Sequence, residues 1–132
     1  MARRASNRPT DAEIEILRVL WRHGPATVRE VHEALDRSPS IGYTTVLKLL
    51  QIMTEKGLVR RDESARTHVY AARAKEDETQ AKLVGDLLDR VFDGSASKLV
   101  LRALSAKPAT AAELEAIRKL LSDMEKGGAR RS

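Results

Sequence analysis

Along "GYTTVLKLLQIMTEKGLV" at 42–59, Val46, Leu49, Leu50 and Met53 fall at i, i+3, i+4 and i+7, the spacing of one buried helix stripe. An advance of about 100° per residue turns Thr44, Lys48, Gln51 and Glu55 to the opposite face, with Thr45 at its edge. Threonine is a poor helix former, so a pair of them in the first turn raises the question of what this polar face serves. Lys56-Gly57 closes the segment, as basic residues and glycine commonly do.

Helix starts are marked by a repeated device. Threonine is followed three residues later by glutamate in "TDAE" at 10–13, "TVRE" at 27–30 and "TAAE" at 110–113. Each is a capping box, in which hydroxyl and carboxylate satisfy the free N–H groups of a helix start. The first opens a helix over about Asp11 to His23, expected to bury Ile14, Leu17, Leu20 and Trp21 and to stop at Gly24-Pro25. The second opens a helix over about Val28 to Asp36, burying Val28, Val31 and Leu35. "DRSPSIG" reads as a loop.

After Gly57 the period changes. "LVRRD" and "THVYAA" are short runs rich in β-branched residues and tyrosine, separated by "ESAR", which predicts a hairpin with an arginine-flanked tip. Three helices and a hairpin describe a winged helix-turn-helix over residues 10–73, preceded by a flexible arm over 1–9. The predicted fold is mainly α with a small β-hairpin wing, followed by a C-terminal helical dimerisation domain over 74–124 and a frayed, flexible tail over 125–132.

In that second part, "AKLVGDLLDRVF" carries a wide apolar stripe that includes Leu83, Leu87, Leu88 and Val91. Asp93-Gly94 breaks it, and Ser95 caps a short helix carrying Leu99, Val100, Leu101 and Leu104. A last helix from Thr110 turns Leu114, Ile117, Leu120, Leu121 and Met124 inward. So few large side chains make a thin core for a monomer, and pairing with a second copy through Leu83, Leu87, Leu88, Val91, Leu101, Ile117 and Leu121 would bury the surplus. A self-sufficient bundle docked on the winged helix is the alternative.

Composition narrows the function. The 132 residues hold no cysteine, which excludes disulfides and thiol chemistry. No apolar run nears the roughly 18 residues of a membrane span, so no membrane insertion and a cytoplasmic location are expected. The net charge of +5 is uneven: residues 1–73 hold 13 basic against 9 acidic side chains, and residues 74–132 hold 11 against 10. The first part is therefore the candidate for an anionic ligand, double-stranded DNA above all. Short hydroxyls at the start of the third helix allow close approach to a base edge or phosphate, and a helix N-terminus attracts phosphate. Tyr43, Thr44, Thr45, Lys48, Gln51, Arg60, Arg61, Arg66 and His68 are the candidate DNA-binding residues. The plainer reading makes Thr44 and Thr45 caps and Lys48 a solvated lysine. Protein-interaction module is a second reading of the winged helix.

Catalysis has no foothold. His23, His32 and His68 are scattered, and Asp86, Asp89 and Asp93 lie on a polar helix face. No phosphate loop, nucleophile elbow or metal-protease signature occurs, so no metal and no cofactor are expected.

"PTDAEIEILRVLW", "TVREVHEAL", "GYTTVLKLLQIMTEKGLVRR" and the hairpin "VY" resemble the BlaI/MecI/CopY family of penicillinase-repressor-type regulators, over roughly residues 9 to 122. The resemblance implies a winged helix, a C-terminal homodimer, repression at a dyad operator, and a membrane sensor protease as candidate inactivating partner. Two features depart from the family's pattern. The cysteine pair of copper-responsive members is absent. Arg102-Ala103 stands where β-lactam repressors carry the Asn-Phe dipeptide cut on induction, so a non-proteolytic inducer is the alternative route to derepression.

Overall fold

The computed structural model describes residues 8–35 and 41–131. The loop expected at 36–40 and most of the arm expected at 1–9 lie outside the described residues. In chain order the elements are α1 (Asp11–His23), β1 (Ala26–Thr27), α2 (Val28–Ala34), α3 (Tyr43–Lys56), β2 (Val59–Asp62), β3 (Val69–Ala72), α4 (Glu76–Val91), α5 (Ala96–Ala106) and α6 (Ala111–Arg131). The chain divides into two compact units, residues 1–84 and 85–132. That division falls inside α4, whereas the sequence places it at 73/74.

All three capping boxes form. Thr10 and Glu13 exchange bonds of 2.9 and 3.3 Å at the start of α1, and Thr27–Glu30 and Thr110–Glu113 do the same at α2 and α6. Each reciprocal pair satisfies N–H groups that the helix itself cannot. Ser95 caps α5 by accepting from the Lys98 N–H, as its sequence suggests.

The first unit is built around Ile16, Leu17, Leu20, Val31, Val46, Leu50, Met53, Val59 and Tyr70, all buried. On α3 the expected stripe holds at Val46, Leu50 and Met53, while Leu49 is half-buried at its margin. Gly57 ends α3 with φ +83, the left-handed turn that suits glycine.

On α1 the buried stripe is rotated from its expected place. It runs Glu13, Ile16, Leu17, Leu20, and Ile14 and Trp21 are only half-buried. The reason is electrostatic. Glu13 Oε1 accepts from Lys56 Nζ at 2.7 Å and from the Thr10 N–H at 2.9 Å, so a carboxylate fills the first core position of the stripe. A buried charge is tolerable only when paired in this way. Lys56 Nζ also donates to the Arg8 carbonyl, which ties the end of α3 to the start of α1.

The hairpin forms, and a strand not read from the sequence joins it. The sheet is antiparallel with order β1-β3-β2. Ala26 pairs with Tyr70 and Thr27 with Val69, so the start of α2 is pinned beside the wing. The segment after β3 is held as well: the Arg73 N–H donates to the Leu58 carbonyl, and the Trp21 indole N–H donates to the Ala74 carbonyl at 2.9 Å.

The second unit has a different character. None of its described side chains is buried. α4 ends through Asp93 (φ 54) and Gly94 (φ 78), whose N–H donates to the Leu88 carbonyl. α6 runs on through Gly127-Gly128 to Arg131, beyond Met124, where the sequence places its end. Among the described residues, no helix is long and apolar enough to cross a membrane.

Candidate nucleic-acid interface

The first unit carries an open cleft of about 540 Å³ between the start of α2, the start of α3 and the wing. Tyr43 and Leu47 of α3 line it together with Arg66, Thr67 and His68 of the wing. Arg29 joins them from α2, and among the described residues no acidic side chain lines the cleft.

The start of α3 is open. Its N-cap is Gly42, which makes no side-chain cap bond, so Thr44 and Thr45 do not cap the helix. Both are exposed, as are Lys48, Gln51 and Glu55 on the face away from the core. Free N–H groups at a helix start, flanked by two short hydroxyls, form a surface that accepts anionic oxygen atoms. No ion pair involving Arg29, Arg66 or Lys48 occurs among the described residues.

The structure sorts the predicted arginines. Alternation along β2 places Arg60 and Arg61 on opposite faces of the strand. Arg61 pairs in register with Tyr70 and bonds Glu63 Oε2 at 2.6 Å. Hydrogen bonding to Tyr70, then to Glu63, raises its guanidinium above the ordinary arginine value. Arg60 pairs with Ala71 and borders a second cleft with Trp21, Arg73 and Lys75. Tyr43, Arg66 and His68 thus meet, and Arg60 and Arg61 lie outside their cleft. The wing turn is braced by Asp62, whose carboxylate accepts from the Ser64 N–H at 2.9 Å; that bond lowers its pKa.

Arg29 carries no signal in the sequence, because inside "TVRE" it looks like one more solvated helix residue. The signal lies in β1, whose pairing with β3 carries the first turn of α2 to the wing. Two residues are too few for a periodic pattern to reveal.

Of the apolar residues assigned to dimerisation, Leu87, Val91, Leu101 and Leu121 are exposed, Val91 by 64% and Leu101 by 66%. Leu83, Leu88 and Ile117 are half-buried.

The fold defines a winged-helix protein whose third helix and wing flank a cleft lined by Arg29 and Arg66. Comparison with known proteins gives the family. A profile described as Penicillinase repressor matches residues 9–123. The transcriptional regulator BlaI of Mycobacterium tuberculosis is 36% identical over 118 residues, 89% of this chain and 85% of that one. The penicillinase repressor of Staphylococcus aureus is 22% identical over 115 residues, 87% of this chain and 91% of that one. A solution structure of the DNA-binding domain of the repressor BlaI aligns with 58% of this chain and 93% of that one, at 24% identity and a TM-score of 0.49. The chain belongs to the penicillinase repressor family.

Proposed function

We propose that this protein is a sequence-specific transcriptional repressor that binds a dyad operator in double-stranded DNA as a homodimer. The observation that carries the reading is the lining of one cleft by Tyr43, Arg66, His68 and Arg29, beside the uncapped start of α3. In it, α3 is the recognition helix. Thr44, Thr45, Lys48 and Gln51 face the major groove, and Arg29, Arg66 and His68 face phosphates across the wing. Arg60 and Arg61 add to the positive field without sharing that cleft. The membership of the family, whose relatives bear the names of repressors, supports the same reading.

The exposed apolar side chains Leu87, Val91, Leu101 and Leu121 support a homodimer formed by residues 85–124, since a soluble protein rarely leaves such side chains uncovered. Two-fold pairing would set the recognition helices about one DNA turn, roughly 10 bp, apart. The site of action is the cytoplasm. Catalysis has no part in the proposal.

Relief of repression is proposed to follow a route other than cutting between Arg102 and Ala103, because the Asn-Phe dipeptide is missing there. A membrane sensor protease remains the partner to test. Co-expression with a β-lactam-activated sensor, with fragments mapped by mass, should give no chain ending at Arg102.

Affinity for duplex DNA across a salt series tests the main proposal. For roughly 6 to 10 neutralised phosphates per dimer, binding should weaken about 10³- to 10⁵-fold between 50 and 200 mM salt. A flat salt response would overturn it.

A further inference from the structure

We propose that His32 is a positioning residue that fixes Tyr43 at the head of the recognition helix and thereby sharpens the choice of DNA sequence. The inference rests on the DNA-binding reading above and assigns a role to a histidine that reading does not use.

His32 sits half-buried in the last turn of α2. Its Nε2 lies 3.1 Å from the Ile41 carbonyl oxygen. A carbonyl only accepts, so Nε2 carries the proton in this contact. The same ring meets Tyr43 edge-on, with centroids 6.1 Å apart and planes at 77°. That geometry lies within the favourable range for aromatic pairs. One imidazole therefore grips both the backbone just ahead of Gly42 and the first side chain of α3.

The need for such a grip follows from the way α3 begins. Helices α1, α2 and α5 each start with a hydroxyl side chain bonded to a first-turn N–H. At Gly42 that device is absent, which leaves the helix start open to a ligand and also unfixed by its own residues. His32 supplies the fixing from outside, and its own bond goes to the Ile41 carbonyl rather than to those N–H groups. Tyr43 is nearly half exposed and lines the cleft that Arg66 also lines. A tyrosine free to swing would sweep the space in which neighbouring Thr44 and Thr45 meet base edges. Pinned, it sets one approach of α3.

Charge-driven affinity belongs to other residues, so loss of His32 should fall on discrimination. The test uses the full chain, a duplex enriched from a random library by the unaltered protein, and a scrambled duplex of equal length. His32→Ala should weaken binding to the enriched duplex about fivefold, the weight of one hydrogen bond, and leave the scrambled duplex within about twofold. His32→Gln, which keeps an N–H donor, should recover part of that loss, and His32→Phe, which keeps only the ring, should recover less. Thermal melting of each variant accompanies the titrations. An unchanged ratio between the duplexes would overturn the proposal. So would equal weakening on both with a lowered melting point, or no difference between the glutamine and phenylalanine variants. A chain that enriches no duplex at all would overturn the DNA-binding reading itself.

Discussion

Replacing Lys56 with methionine removes the ammonium 2.7 Å from a carboxylate that is 2% exposed, and keeps the aliphatic stem that packs around it. Breaking a buried pair by deleting one partner costs about 3–5 kcal/mol, because the other charge stays behind in a medium that solvates it poorly. Two features of this site reduce that figure. The Lys56 side chain is 16% exposed, so its own desolvation is incomplete. Glu13 Oε1 also keeps the N–H of Thr10 at 2.9 Å. A loss of about 2 kcal/mol is therefore expected. For a unit of this size it corresponds to a fall of about 8–16 °C in melting temperature. Helical circular dichroism followed on heating, with urea titration beside it, measures the change. The companion variant carries Glu13→Leu together with Lys56→Met. With no charge left to strand, it should regain most of the loss or exceed the parent. A fall below about 2 °C in the single variant, or a double variant no more stable than the single, would refute the argument that burial of Glu13 depends on Lys56.

Other predictions concern binding, assembly and acid. Arg29→Ala should weaken binding to all duplexes alike and lower the salt slope by about one per recognition helix, whereas Thr45→Ala should change which sequences are preferred; competition titrations separate the two. Val91→Asp with Leu121→Asp should give a species of 14.6 kDa by light scattering, against twice that for the parent, and weaken operator binding by 10²-fold or more in order of magnitude. A doubled mass that persists would remove the proposed dimer face. The Glu30 carboxyl is held below its ordinary 4.5, chiefly by the Thr27 backbone N–H. Its contribution is complete above that value and is lost as pH falls through the lower folded value, so Glu30→Gln should reduce the acid-induced loss of stability in a thermal series.

Much of this structure was legible because the chain punctuates its helices with side chains that act locally. A threonine and a glutamate three residues on need no tertiary context to cap a helix, and all three such pairs form. The α3 stripe was legible because the side chains along it, Val46, Leu50 and Met53, are all apolar. On α1 the apolar spacing misplaces the stripe: Glu13 is among its buried residues, and hydropathy says nothing of a lysine 43 positions away that makes its burial tolerable. β1 was illegible for want of length, and with it went Arg29, whose neighbours are set by strand pairing. Arg60 and Arg61 looked equivalent as adjacent letters, yet alternation along a strand sends them to different faces. The end of α6 misled in the opposite direction, since two glycines lower helix propensity without forbidding the helix.

Trp21 is the chain's sole tryptophan, and its indole N–H ends on the Ala74 carbonyl, where the wing's last strand gives way to α4. Indole emission shifts in wavelength and yield when that N–H changes partner from carbonyl to water. The protein therefore contains an intrinsic optical gauge at this junction. Emission recorded while DNA or a candidate inducer is added would report, without any label, whether the join loosens as the protein lets go of its operator.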